Sequence, residues 1–488
     1  MIKPNWYGIA KIESFIMAAL GLAVLPSLFM CISHDSRHLM QSFLAICVFC
    51  LVMSALLGMY SRRGKISLDM RDGILSVFIA WLSACLLGAS PYLASGVLTN
   101  PVDAFFESVS GFSTTAVSVI DNIEAVPKAL QFFRAETQWL GGVGILVVIL
   151  SLIPTYGNSS DSLLTVETPG GRALKVSSRS KSSARIILNV YIGFTLIHTL
   201  LLMAGGLGLF ESVCLSFSSV SSAGFSNFNN GLAHYSSLYV HIIVAIFTLL
   251  SCVSFALYGY ALRREWEFIK RNTELKAYIA IIIVSSVITS LSLILSHTYG
   301  SAATAIRFGI FESIAFVTTT GHAAIDMQNW PAFTKGFLTL VSYVGGCSLS
   351  TGCGIKVFRV VVILRVIRES FIQRLHPRAV LTTKIDREPL SNNIKSAAIS
   401  YVMTFIAILF IGSFIISLES SSIASAFGTA GALLSNTGTS FAGGGLDACY
   451  IGYSMPMKLF MCAMMLAGRL EIYSLIIVFT RDFWNIDR

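Results

Sequence analysis

Phe311-Glu312-Ser313-Ile314-Ala315-Phe316-Val317-Thr318-Thr319-Thr320-Gly321 is a short apolar run that breaks into three hydroxyls and stops on glycine. The same texture occurs earlier, where Phe106-Glu107-Ser108 leads to Ser113-Thr114-Thr115-Ala116, and in both copies the last residue lies ten positions after the phenylalanine. Phe210-Glu211-Ser212 leads to Ser221-Ser222-Ala223-Gly224 at a different offset, and a fourth run reads Ser435-Asn436-Thr437-Gly438. The apolar stretches in front of these runs, 103–112, 209–221, 308–317 and 423–434, are too short to cross a hydrocarbon core of about 30 Å as helices. A bland reading, aromatic and polar residues at a membrane interface, does not account for their recurrence. The dominant feature of the chain is therefore an internal repeat at a period of roughly 100 residues.

Around these runs lie ten apolar stretches long enough to span, near 13–33, 41–60, 73–95, 130–154, 186–206, 237–262, 277–297, 334–364, 394–417 and 456–480. Of the 488 residues, 55% are hydrophobic and 12% charged, about half the charged fraction of soluble domains, with a mean hydropathy of +0.74. A polytopic membrane protein is the reading that fits. The net charge of +9 follows topology rather than nucleic-acid binding. Loops 61–72, 155–185, 263–276 and 356–395 hold 4, 5, 5 and 9 basic residues, whereas the opposite loops hold Arg37, Lys128, Arg307 and Lys335. The positive-inside rule makes the basic loops, and with them both termini, cytoplasmic. The N-terminal run from Met1 to Lys11 precedes an apolar stretch without a small-residue cleavage site and reads as an uncleaved first span. Most cysteines fall within spans, and Cys47 and Cys50 form a CxxC. In an apolar helix that pair reads as small hydrophobes before it reads as a redox or metal site.

Each repeat is span, re-entrant half-helix, polar run, span. Irregular backbone at membrane depth persists only where it is buried in protein or lines a water-filled path. Four such runs about one axis set carbonyls and hydroxyls in a ring that replaces the hydration shell of a cation. Half-helices pointing their partly negative C-termini at the axis favour the same charge. The expected fold is an all-α polytopic membrane protein, with a two-helix extension at 1–72 and four pseudo-symmetric pore units at 73–185, 186–276, 277–392 and 393–488. The expected filter residues are Thr114, Thr115 and Ala116; Ser222, Ala223 and Gly224; Thr319, Thr320 and Gly321; and Asn436, Thr437 and Gly438. The third unit's closing span is interrupted by Gly345-Gly346-Cys347-Ser348-Leu349-Ser350-Thr351-Gly352-Cys353-Gly354, which cannot form a stable lipid-facing helix. In the fourth, Arg469 sits mid-span, where a charge costs roughly 3 kcal/mol on insertion scales and faces an interior or a cavity. Glu471, two residues on, points elsewhere on a helix.

With Trp139-Leu140-Gly141-Gly142-Val143-Gly144-Ile145, the run Gly345 to Lys356, and Gly468-Arg469-Leu470-Glu471-Ile472-Tyr473, nearly the whole chain resembles the TrkH/TrkG branch of the Trk/Ktr/HKT superfamily of potassium transporters. The extension at 13–60 is similar to the longer TrkH type rather than to the shorter Ktr subunit. The resemblance implies potassium uptake across the bacterial inner membrane by a homodimer. It also implies a separate cytosolic nucleotide-binding regulatory ring resembling TrkA. The chain carries no GxGxxG after a strand and no GxxxxGK[ST], and the basic loops 155–185 and 356–395 read equally as docking surfaces or as topology signals. The resemblance further implies that Gly345, Gly346, Ser350, Thr351, Gly352 and Gly354 belong to an intramembrane gate loop, the alternative being a packing kink, with Lys356 and Arg359 at the cytoplasmic exit. It makes Arg469 an electrostatic barrier in the pore, against a structural ion pair with a carboxylate such as Glu136. K⁺ is the implied transported ion, bound at the filter residues above, with no covalent cofactor and no nucleic-acid partner.

Ala116 departs from the pattern, since both the repeat and the resemblance lead one to expect glycine there. If its φ is positive, alanine costs on the order of 1 kcal/mol; if the backbone rearranges, one carbonyl leaves the ring. Plant relatives with a non-glycine residue at the first filter position tend toward Na⁺ transport, so a Na⁺-permeable or Na⁺-coupled carrier is the alternative reading. His322, directly after Gly321, is a candidate pH-sensitive cation at the outer mouth or simply a wet-interface residue. A secondary transporter of organic solutes expects inverted repeats, whereas these run in one orientation. An enzyme expects a cluster of His, Asp or Cys at membrane depth, and the eight histidines are scattered. Nor is there a chain of buried carboxylates to support obligatory H⁺ coupling.

Overall fold

The structure is a computed structural model that describes residues 4–33, 37–64, 70–144, 180–378, 384–386, 388–439 and 450–484. Its architecture is helical. The N-terminal extension comprises α1 (Trp6–Ala23), α2 (Leu25–Ser33) and α3 (Arg37–Ser61). Four units follow, each with an opening helix, a short pore helix and a closing segment. The opening helices are α4 (Met70–Ala94), α7 (Ser180–Ala204), α12 (Thr273–Leu295) and α16 (Asn392–Ile416). The pore helices are α5 (Pro101–Phe112), α8 (Leu209–Val220), α13 (Ala302–Val317) and α17 (Ile423–Leu434). The closing segments are α6 (Lys128–Val143), α9 (Leu238–Ser251) with α10 (Phe255–Leu262), α14 (Ala332–Ser342) with α15 (Val357–Leu375), and α18 (Met455–Arg469) with α19 (Tyr473–Ile476). The short helix α11 (Trp266–Arg271) joins the second and third units, and α20 (Arg481–Trp484) ends the described chain. In the loop after α15, β1 (Lys384–Ile385) pairs antiparallel with β2 (Glu388–Pro389) as a minimal hairpin.

Among the described residues, six helices are long and apolar enough to cross a membrane, and eight if each bent pair counts as one span. That is fewer than the ten stretches visible in the sequence. The extension and the four opening helices supply these six, and among the described residues three of the closing segments are broken. α9 and α10 meet at 89°, α18 and the Tyr473–Phe479 segment at 120°, and the third is split by Gly345–Gly354. In the first, α6 ends at Gly144, and the rest of the expected 130–154 span lies outside the described residues, as do Ile145, loop residues 155–179, 379–383 and 387, and residues 1–3.

Pore helices start and stop by ordinary rules. Asn100 caps α5 by accepting the Val102 N–H at 2.9 Å, with Pro101 at the first position. Ser422 caps α17 by accepting the Ser425 N–H at 3.1 Å. In the first and third units the serine of Phe-Glu-Ser ties the pore helix to its opening helix: Ser108 donates to the Cys85 carbonyl at 2.7 Å and Ser313 to Thr289 Oγ1 at 3.0 Å. The extension packs on the first unit, where Ser27 of α2 donates to Glu136 of α6 at 2.6 Å. Phe29, Leu200 and Phe414 face outward, as lipid-contacting positions should.

Candidate ion pathway

All four polar runs share one backbone trace. Each pore helix closes on a residue in right-handed conformation, Ser113, Ser221, Thr318 or Ser435. The next residue turns left-handed: φ is 59° at Thr114, 53° at Ser222, 54° at Thr319 and 54° at Asn436. The third residue then reaches back into the helix, Thr115 to the Ser110 carbonyl at 3.0 Å, Ala223 to Ser218 at 3.0 Å, Thr320 to Ala315 at 2.9 Å and Thr437 to Ala432 at 2.9 Å. This is a Schellman stop, which satisfies the last carbonyls of a helix by reversing the chain. Such stops normally use glycine; here three hydroxyl residues and an asparagine occupy the left-handed position, a strain that persists only where the surroundings enforce it. In units 1, 3 and 4 the first and third hydroxyls also pair, at 2.7, 2.7 and 2.8 Å. Ala223 removes that pair from unit 2.

Beyond the stop, φ is again positive at Ala116 (64°), Gly224 (135°), Gly321 (66°) and Gly438 (74°). A Cβ at Gly224 would run into the Thr320 carbonyl oxygen, one at Gly321 into that of Thr437, and one at Gly438 into that of Thr115. Unit 2 therefore abuts unit 3, 3 abuts 4, and 4 abuts 1: the four runs close a ring in chain order. Ala116 sits in the left-handed region, the strained course rather than a rearranged one. The irregularity falls on its neighbour, because Gly224 departs from the other three angles and a Cβ there would lie 3.3 Å from that of Ala116.

Two cavities flank the ring. Ala116, Gly224, Gly321, Gly438 and His322 line the outer one, and His322 Nε2 lies 3.2 Å from Ser219 Oγ. Arg469, Gly352, Cys353, Gly354 and Lys356 line the inner one. Between them lies a floor formed by the glycine-rich loop Gly345–Gly354. Gly345 and Gly354 have φ of 75° and 81°, and the loop's neck is tied by Ile355 N–H to the Tyr343 carbonyl at 2.9 Å and Lys356 N–H to Val344 at 2.8 Å. This is a folded loop, not a kink. Gly346 borders the Cys252 backbone, and Ser350 Oγ donates to the Cys347 carbonyl at 2.5 Å. Thr351 Oγ1 lies 2.6 Å from Ser222 Oγ, and Cys353 N–H donates to Thr319 Oγ1 at 2.9 Å. The Gly352 carbonyl accepts from Lys356 Nζ. With Cys353 Sγ also 3.9 Å from Thr114 Oγ1, the loop touches the left-handed residues of three units directly.

Arg469 completes the floor. Its Nη1 reaches Thr114 Oγ1 at 3.3 Å, the Thr351 carbonyl at 3.1 Å and Cys353 Sγ at 3.2 Å; its Nη2 donates to the Gly142 carbonyl at 2.8 Å and to that of Gly141. The alternative of an ion pair with Glu136 is not realised, since Glu136 accepts from Ser27 and Glu471 pairs with Arg359 at 2.5 Å. The guanidinium is thus held by neutral groups alone, three backbone carbonyls, a hydroxyl and a thiol. Asn436 stands apart, donating to Thr115 Oγ1 at 2.8 Å and to the Met465 carbonyl at 2.9 Å.

Sequence reasoning missed the ring's outer support. Arg134, 1% exposed, donates its Nε to Glu107 at 2.9 Å and lies 4.0 Å over the Phe225 ring. Glu107 accepts the Val119 N–H at 3.0 Å, and Glu312 accepts the Ala324 N–H at 2.7 Å, twelve residues downstream in both cases. The glutamate of Phe-Glu-Ser thus anchors the strand leaving the filter. The signal was available in an arginine inside an apolar stretch.

The family model for TrkH, described as a cation transport protein, matches residues 39–485. The chain belongs to the TrkH family. It is 29% identical over 480 residues to the Trk system potassium uptake protein TrkH of Halomonas elongata, covering 98% of this chain and 99% of that protein. It is 28% identical over 474 residues to the TrkH protein of Escherichia coli K12, covering 95% and 96%. The crystal structure of the potassium transporter TrkH from Vibrio parahaemolyticus superposes with a TM-score of 0.88 at 26% identity, over 99% of this chain and 100% of that one. The all-α fold of the TrkH type is thereby shown.

Proposed function

We propose that this chain is a membrane subunit for K⁺ uptake, a transporter rather than an enzyme, and that the ring formed by the four polar runs is its selectivity filter. The observation that carries the reading is the closed ring with Arg469 and a folded loop directly beneath it. In this reading the runs at Thr114–Ala116, Ser222–Gly224, Thr319–Gly321 and Asn436–Gly438 hold the ion, Gly345–Gly354 is the gate, and Arg469 is the barrier. It places the chain in the bacterial inner membrane with both termini cytoplasmic, as a homodimer working with a cytosolic nucleotide-binding ring resembling TrkA. The names of the relatives, which are Trk system potassium uptake proteins, support it.

Growth of a K⁺-uptake-deficient bacterium at low external K⁺ tests the proposal. Expression of this chain, with its cognate ring, restores growth; failure in an inserted protein overturns the reading. A second reading, Na⁺ permeation beside K⁺, rests on Ala116 and on the displaced φ of Gly224. It predicts that added Na⁺ slows growth or replaces the K⁺ requirement in the same strain.

A further inference from the structure

The loop beneath the filter is held from several sides. Cys347 N–H donates to the Cys252 carbonyl at 2.9 Å, Thr351 Oγ1 to the Ser251 carbonyl at 3.1 Å, and Phe255 N–H to the Leu349 carbonyl at 2.9 Å. These partners all lie at the break between α9 and α10. One further anchor has a different direction. Ser348, itself buried, donates its N–H to Glu274 Oε1 at 2.6 Å. Glu274 belongs to the first turn of α12, at the end next to the basic segment 263–276. An amide donating to a carboxylate is charge-assisted and stronger than its neutral counterparts.

That helix end is held in turn. Thr273 donates both its N–H and its hydroxyl to Asp386 Oδ1, at 2.7 and 2.6 Å. Asp386 stands in the turn of the hairpin between β1 and β2, at φ 52°. A carboxylate at a helix N-terminus satisfies free donors and the helix dipole together. Thr273 and Glu274 are consecutive, so the hairpin in loop 356–395, the end of α12 and the gate loop form one hydrogen-bonded chain.

We infer that Glu274 is a positioning residue of the gate, and that the hairpin bearing Asp386 acts on the gate through it. This rests on the reading of Gly345–Gly354 as the gate. A load on the hairpin displaces the first turn of α12, and Glu274 carries that displacement to Ser348. The loop in turn touches Ser222 and Thr319 of the ring.

The test uses the full chain in K⁺-loaded liposomes, with Glu274→Ala, Glu274→Gln and Asp386→Ala. Two quantities are read: resting K⁺ flux, and the rate at which a soluble maleimide labels Cys353, followed by peptide mass spectrometry. Cys353 lines the inner cavity beside Arg469, so its labelling follows gate position without requiring transport. Glu274→Ala raises both readouts by about tenfold, the loss of one charge-assisted bond. Glu274→Gln, which keeps an acceptor oxygen, falls between it and wild type. Asp386→Ala moves both readouts the same way by a smaller factor. Wild-type flux and labelling in Glu274→Ala, in a protein that melts normally, overturn the inference. If Glu274→Ala does not insert, unchanged labelling in Asp386→Ala overturns it. If wild type passes no K⁺ while labelling rises in the variants, the positioning role stands and the transport reading falls.

Discussion

Ala116 carries a side chain in a backbone conformation that the other three units assign to glycine, and the irregularity extends to Gly224 of the second unit. Substitution Ala116→Gly removes a penalty of about 1 kcal/mol and frees Gly224 to adopt the angle of Gly321 and Gly438. The expected outcome is a higher K⁺/Na⁺ permeability ratio, measured by ion replacement in liposomes; an identical ratio in variant and wild type would rule out a selectivity role for this position. The identity of position 116 was legible in the sequence because the repeat fixed its register. The displacement of Gly224 was not, since it depends on contact between units far apart in the chain. Arg469 shows the same division. Its inward placement followed from its position in an apolar stretch, but three of its partners are backbone carbonyls of the first and third units, and carbonyls carry no sequence signature.

Glu107 and Arg134 lie on different helices of one unit, and together they set where the chain leaves the filter. Removing one partner of a buried pair strands the other, at about 3–5 kcal/mol. Glu107→Gln should therefore lower the melting temperature in detergent, and the double variant Glu107→Leu/Arg134→Met should recover part of the loss. Full stability in Glu107→Gln would show that the pair is dispensable. At this scale the pore helices were readable from the sequence, because each is a short apolar run that ends in a hydroxyl-rich stop. The broken closing helices were readable only where glycine marks them. Ser251-Cys252-Val253-Ser254 has no glycine or proline, and hydropathy runs straight across it, yet α9 and α10 diverge there by 89°. Leu470-Glu471-Ile472 hides a sharper turn, with φ of 57° at Glu471 and 46° at Ile472. Both breaks are imposed by what packs against them, the gate loop in one case and the Arg359–Glu471 pair in the other.

At the scale of the whole molecule, the proposed function assigns the barrier to permeation to one thin layer, the loop Gly345–Gly354 with Arg469. Arg469→Ala removes the fixed charge in that layer and is expected to raise resting cation flux through the isolated protein by at least about tenfold. Unchanged flux would assign the barrier to the gate loop alone. The ring also closes within a single polypeptide, with each unit abutting the next in chain order. In an assembly of four identical subunits, any change to one filter position appears four times at once. Here it appears once, in one quadrant and its neighbour. Ion preference can therefore drift in quarter steps, each tested by selection before the next, and an alanine where three glycines stand is what one such step looks like.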